Sequence, residues 1–457
     1  MAESLAGGIV DRARLGALLG RELDDFAARN PRSRELYERA RSSLFGGVPM
    51  PWMMRWAGGF PVFAAEASGA RITDVDGHEY VDLCLGDTGA MPGHGPEPVR
   101  EAVAAQVGRG ITTMLPTGDA TWVGEELARR FGLPRWTFTL TATDANRQAL
   151  RIAREMTGRP RVLVYSYCYH GTVDETFAVA TPEAGTRSRE GNVGPAVDPA
   201  VTTTAVEFND REALERALGG GEIACVLAEP AMTNMGIVLP EPGYHDALRE
   251  LTRSTGTLLV IDETHTFSAG PGGCTAEWGL EPDMLTIGKA IGSGVPSGAL
   301  GLSADVDARV LDMEAADYED TGGIGGTLAG NPLSAAAMRA TLDRVLTAEA
   351  FEHTIPLATR FREGLEDIFS ERSLPWNVVQ LGCRAEYWLQ PEPARNGTEA
   401  QAASEPELER FLHLYVLNRG VLLTPFHNMA LMSPETSEAD VDLHTELFDA
   451  AAAELLG

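Results

Sequence analysis

Lys289 stands between a short apolar run, Met284-Leu285-Thr286-Ile287, and a glycine-rich turn, within EPDMLTIGKAIGSGVPS from Glu281 to Ser297. A lysine projecting from the end of a buried strand is partly desolvated, which favours the nucleophilic amine over the ammonium and makes it a candidate for carbonyl chemistry. The plainer reading is a solvated loop residue, so the other polar strand ends have to decide. Thr257-Leu-Leu-Val-Ile261 runs into Asp262-Glu263, and buried acids are rare unless a cation pairs with them. Asp262 is therefore a candidate partner for a protonated ring nitrogen, with a capping or Mg²⁺-binding acid as the competing role. After Leu140, Thr141-Ala142-Thr143-Asp144 opens a helix. Two hydroxyls with free backbone N–H groups at a helix start can receive a phosphate, although Thr and Asp also serve as ordinary N-caps.

Two further segments carry suggestive groups. In Cys168-Tyr169-His170-Gly171, Tyr169 can stack on a flat cofactor or simply fill core. Gly325-Gly326-Thr327, ahead of a helix starting near Pro332, offers a second set of N–H and hydroxyl contacts for a phosphate. The run Gly322–Gly326 lacks a preceding strand, the GxGxxG spacing and an immediate helix, so it is no dinucleotide fingerprint.

The elements that would position these groups alternate. From about Pro96 to Gly330, helices alternate with apolar strands at Thr137 to Leu140, Arg161 to Tyr165, Ile223 to Ala228, Thr257 to Ile261, Met284 to Ile287 and Ala299 to Leu302. That alternation predicts an α/β fold with a mostly parallel sheet between helices, whose ligands gather at the strand ends. Asp11 to about Phe45 reads as two helices of an N-terminal arm. Arg71 to Leu83 reads as a hairpin turning at Asp76-Gly77. Residues 172–200, rich in Gly, Pro and charge, are expected to form a mobile loop, and Ser437 with Asp440 to cap a final helix. The domains expected are 1–95, the arm with part of a small domain; 96–335, the large cofactor-binding domain; and 336–457, the C-terminal small domain.

Composition narrows the function classes. The 457 residues carry 37 basic against 66 acidic side chains, a net charge of −29, which argues against nucleic acid or an anionic membrane as main partner. Five scattered cysteines without CxxC spacing point to neither a disulfide framework nor a metal site, and fit a reducing cytoplasm. The first residues lack a basic segment leading into an apolar core, and no apolar run approaches the roughly 18 residues of a membrane span. A cytoplasmic protein is expected.

A phosphate cup, a carboxylate for a ring nitrogen, a stacking aromatic and a lysine are together what pyridoxal 5'-phosphate (PLP) requires. From about Ser33 to Glu446 the chain resembles the class III (fold-type I) PLP-dependent aminotransferases, in the glutamate-1-semialdehyde aminomutase-like branch. The matches are CYHG at Cys168 to Gly171, EP and NMG within Glu229 to Gly236, the acid pair at Asp262, the segment around Lys289, and GTLAGNP at Gly326 to Pro332. The resemblance implies a large domain with a seven-stranded type of sheet and a small α+β domain built from both termini. It implies that Lys289 forms the internal aldimine, Asp262 partners the pyridine nitrogen, Tyr169 stacks on the ring and Asn234 donates to the phenolic oxygen. Thr141, Ala142 and Thr143 fall where the family usually has Ser-Gly-Thr. Gly326 and Thr327 fall where a neighbouring subunit closes over the phosphate, which implies a homodimer with the active site at the interface.

Three departures bear on the substrate. The phosphate loop reads TATDA where the family has SGTEA. His265 stands where the family commonly has Met or Gln, and would add a titrating group near the cofactor. Pro425 to Leu431 lacks the glutamate that the aminomutase carries there, which points away from that activity. Arg55, after the bulky Trp52-Met53-Met54, is the candidate for a substrate carboxylate, with Trp52 beside it; pointing outward, it would leave a plain amine as substrate. The activity expected is transfer of an amino group between an amine or amino acid and a carbonyl acceptor, with pyridoxamine phosphate as the half-reaction form. The alternatives are a PLP-dependent isomerase, an aminomutase or epimerase, and a non-catalytic protein on the same scaffold.

Overall fold

The computed structural model describes residues 9–312 and 323–457. Gly322, part of the glycine run noted above, lies outside them. The chain divides into two compact units: Met1–Pro96 with Ala350–Pro393 and Ala403–Gly457, and Glu97–Glu349 with Ala394–Ala402.

The second unit is built on a seven-stranded sheet. Its order is Arg135–Thr139, Gly298–Leu302, Met284–Ile287, Leu258–Asp262, Ile223–Ala228, Arg161–Tyr165, Thr203–Val206. Gly298–Leu302 runs antiparallel to both its neighbours, and the other pairings are parallel. The three central strands, Ile223–Ala228, Leu258–Asp262 and Met284–Ile287, are buried at every position, as expected of strands covered on both faces. Six of the seven are legible as apolar runs; Thr203–Val206 escaped because two threonines open it. Helix Ala142–Thr157 lays Ala145, Ala149, Leu150, Ile152 and Ala153 into the core. Helix Pro332–Arg344 packs on helices Glu97–Val107 and Gly118–Phe131 and belongs to this unit.

The expectation of a mobile loop over residues 172–200 needs correction. Ala178–Ala180 and Thr186–Ser188 form an antiparallel hairpin. Ala178 and Val179 are buried, and Ala178 joins the main core. With Val173, also buried in that core, these apolar side chains anchor a stretch whose composition reads as loop.

In the first unit, helices Arg12–Arg29 and Pro31–Ala40 lead into a four-stranded sheet of Ala64–Ser68, Arg71–Asp74, Glu79–Asp82 and Val421–Leu422. The turn between the second and third of these places Gly77 at φ +92°, a conformation that favours glycine. A three-stranded sheet joins Asn377–Leu381, Arg384–Trp388 and Met429–Leu431. The last helix, Glu438–Leu456, starts with a full capping box between Ser437 and Asp440. All five cysteines are buried and free. Among the described residues no helix is long and apolar enough to cross a membrane.

His444 is fully buried, its ring 4.7 Å from Phe361 and 5.9 Å from Phe448, and neither ring nitrogen has a hydrogen-bond partner. Burial, with His413 nearby, lowers its pKa to about 3. The unfolded chain protonates this residue near the ordinary value of about 6.5 and the native chain does not, so native stability falls as pH drops from about 6.5 towards 3. The slope is roughly 1.4 kcal/mol per pH unit for one such proton. His444→Phe is expected to flatten that limb, bringing the urea midpoints measured near pH 7 and near pH 4.5 closer together. An unchanged gap would remove His444 as a cause.

Candidate active site

Strand Leu258–Asp262 lies between two parallel partners, so its carboxyl end delivers Asp262 into the middle of the sheet edge, where it is almost fully buried. Asp262 Oδ2 accepts from Asn146 Nδ2 at 2.9 Å and lies 2.9 Å from His170 Nδ1; Oδ1 accepts the Thr264 N–H at 3.0 Å. Asn146 is itself oriented: its Oδ1 accepts from the Thr286 hydroxyl at 2.7 Å, so its amide nitrogen faces Asp262 and the His170 carbonyl. Burial raises the Asp262 carboxyl, but the hydrogen bond and charge of His170, with Asn146 behind them, hold it down at about 2. Burial lowers the His170 imidazole, yet Cys168 and Asp262 together raise it well above its usual range. The result is a buried ion pair at the strand end with the carboxylate anionic at neutral pH. The neighbouring Glu263 has another task. Burial raises its pKa, against hydrogen bonds from the Thr266 hydroxyl at 2.6 Å and from the Thr275 hydroxyl and backbone, so it ties segment 274–275 to the strand end.

Lys289 follows strand Met284–Ile287 and opens a short 3₁₀ turn, Lys289–Gly292. Its φ is +48°, a left-handed conformation rare for a residue with a side chain. The preceding Gly288 is close to the start of helix Ala142–Thr157; a Cβ there would meet Ala142 atoms at 3.0 Å. Lysine and helix start are thereby held together. Lys289 Nζ lies 2.6 Å from His265 Nε2, and both side chains are half-buried.

Thr141 is the N-cap of helix Ala142–Thr157: its hydroxyl accepts the Asp144 N–H at 3.3 Å and donates to the Asp144 carboxylate at 3.0 Å. The capping role read for Thr141 is thus present. Ala142 and Thr143, in the first turn, carry N–H groups that have no partner within the helix. Thr143 Oγ1 accepts the Thr172 N–H at 3.2 Å and sits against Gly171, where any Cβ would collide with it. These groups fit PLP. An ionised buried carboxylate with a lone pair left on Oδ1 suits a protonated pyridine nitrogen, and a helix start beside Gly288 suits a phosphate near the lysine.

Tyr169 is half-buried, edge-on to Phe177 at 6.3 Å. Asn234 donates through Nδ2 to the Tyr167 carbonyl at 2.7 Å, leaving its second amide hydrogen for another acceptor. Gly326 and Thr327 are exposed in a turn in which the Ala329 N–H donates to the Gly326 carbonyl at 2.9 Å. In the first unit, Trp52 meets the Phe426 ring edge-on at 5.5 Å, and the exposed Arg55 guanidinium stands 5.9 Å from the same ring. Segment Pro425 to Leu431 has no acid of its own, but Glu386 Oε1, buried in strand Arg384–Trp388, lies 3.4 Å from His427 Nδ1.

Asn146, His170 and Glu386 escaped notice in the sequence. A signal existed for Asn146: it is a polar residue on the buried, alanine-lined face of an amphipathic helix, and such a residue needs a partner. His170 lies within Cys168-Tyr169-His170-Gly171, where the adjacent aromatic is the more conspicuous candidate. Nothing local marks Glu386.

Residues 52–449 match the family described as Aminotransferase class-III. A glutamate-1-semialdehyde 2,1-aminomutase from Anaeromyxobacter sp. (strain Fw109-5) is 33% identical over 428 residues, covering 92% of this chain and 98% of that protein. The crystal structure of a glutamate-1-semialdehyde-aminomutase from Pseudomonas aeruginosa PAO1 is 47% identical, covers 98% of this chain and 100% of its own, and superposes with a TM-score of 0.95. A lysine-to-alanine variant of it, solved in complex with PMP, matches equally well. An omega-transaminase from Sphaerobacter thermophilus is 28% identical over 93% of this chain and 98% of its own, with a TM-score of 0.86. On this match, and on a fold and strand-end chemistry that agree with it, the chain belongs to the class III aminotransferase family of PLP-dependent enzymes.

Proposed function

We propose that this enzyme is a PLP-dependent 2,1-aminomutase acting on glutamate-1-semialdehyde or a similar amino aldehyde, moving the amino group between adjacent carbons without an external acceptor. The observation that carries this reading is the near full-length likeness to aminomutases. It reverses the order of preference drawn from the sequence, where simple amino-group transfer led. A transaminase is the second reading, favoured by the absence of an acid in Pro425 to Leu431.

In this proposal each residue has a defined task. Asp262, kept anionic by His170 and Asn146, holds a proton on the ring nitrogen. The N–H groups of Ala142 and Thr143, at the positive end of their helix, bind the phosphate. Tyr169 would cover the ring face, and Asn234 would donate its second amide hydrogen to the ring hydroxyl. When bound, PLP supplies the electron sink that lets a proton leave the carbon bearing the amino group. Lys289 Nζ would anchor the cofactor and would carry a proton away from one substrate carbon and back to its neighbour. Arg55 and Trp52 are proposed for the substrate's carboxylate end. A homodimer, with Gly326 and Thr327 of one subunit at the phosphate of the other, belongs to the same proposal and is supported by their exposure on the single chain.

Purified holoenzyme given glutamate-1-semialdehyde alone is expected to yield the isomer carrying nitrogen on carbon 1. No product without an added amino donor or acceptor, but turnover with one, would favour the transaminase. Lys289→Ala is expected to lose the visible absorption band of the bound cofactor while its far-ultraviolet circular dichroism stays unchanged; an unaltered band would remove Lys289 from its role.

A further inference from the structure

Lys289 Nζ and His265 Nε2 are 2.6 Å apart. Both backbones are fixed for reasons unrelated to that contact. His265 lies just past Glu263, whose carboxylate is tied to Thr266 and Thr275, and the Ser268 and Phe267 N–H groups donate to the His265 and Glu263 carbonyls. Lys289 is set by its left-handed backbone and by the approach of Gly288 to Ala142. The side chains therefore meet because the two strand ends aim them at each other.

A contact of this length between two basic nitrogens requires one proton and one lone pair between them. When the pair carries a proton in excess of its neutral forms, either the lysine ammonium donates to the imidazole, or a protonated imidazole donates to the neutral amine. Moving the proton from Nζ to Nε2 breaks one N–H bond and makes another, leaves the charge of the pair unchanged, and turns an unreactive ammonium into a nucleophile. Asp262, three residues before His265, places an anionic carboxylate at the strand end that leads to this pair.

We propose that His265 is the proton partner of Lys289: it accepts the proton that would block the amine before cofactor capture, and returns or removes a proton when the freed lysine acts during turnover. This rests on the PLP reading above and adds to it a residue that touches the reacting nitrogen. The thioether of methionine or the amide of glutamine could not carry this proton.

The test compares His265→Met and His265→Gln. General acid–base partners contribute at least about 100-fold, so kcat is expected to fall by roughly that factor in both variants, with KM within about twofold. Glutamine keeps a hydrogen bond to Lys289 but cannot carry the proton, so it is expected to be no better than methionine. A second readout does not depend on turnover. When cofactor-free enzyme is mixed with PLP near pH 7, the visible band should grow about tenfold more slowly in both variants and still reach full height. Wild-type kcat and capture rate in His265→Met would overturn the proposal, as would full recovery in His265→Gln, which would reduce His265 to holding the lysine in place. A full-height band in both variants separates this outcome from failure of the cofactor reading, which the Lys289→Ala spectrum tests independently.

Discussion

A carboxylate kept ionised inside the protein is the constraint on which the proposed site depends. Burial alone pushes Asp262 towards its neutral acid, and a neutral acid would offer a ring nitrogen no charge. The chain answers with a protonated imidazole at 2.9 Å, and with an amide that donates from one end because a buried threonine hydroxyl holds the other. The groups come from three strand ends and the helix after the first strand. The ion pair therefore exists only when the parallel order of the sheet is complete. An isolated buried pair is weak support for stability, which is consistent with a site maintained for chemistry.

The same sheet edge accounts for the lysine. Met284–Ile287 is adjacent to Leu258–Asp262, so the residues that follow the two strands are neighbours, and His265 and Lys289 meet across that gap. The left-handed backbone at Lys289 and the close packing of Gly288 on the helix start place amine, carboxylate and unpaired N–H groups on one rim. Nothing in this arrangement selects a substrate; in an open parallel sheet that task falls to side chains brought in from elsewhere.

What the sequence made legible follows from that division. Strand interiors are continuous apolar runs and their ends are marked by abrupt polarity, so Asp262, Lys289 and the Thr141 helix start could be found by position. Thr203–Val206 is not legible because two threonines open a four-residue strand, and the hairpin of residues 178–188 reads as loop because a short segment rich in threonine, glycine and charge carries no usable periodicity. His170 and Asn146 escaped because their importance lies in a shared partner more than 90 residues away in sequence. One acid missing from Pro425 to Leu431 is weak ground against an aminomutase. Glu386, on a neighbouring strand, brings a carboxylate beside His427 in a segment that encodes none.

In the proposed site Asp262 is anionic and would hold a cofactor ring nitrogen in its protonated form. ¹⁵N NMR of enzyme reconstituted with PLP labelled at the ring nitrogen reads this directly. A protonated-nitrogen shift is expected across neutral pH in the wild-type enzyme, and its loss in Asp262→Asn. A neutral ring nitrogen in the wild type, or an identical shift in both proteins, would contradict it.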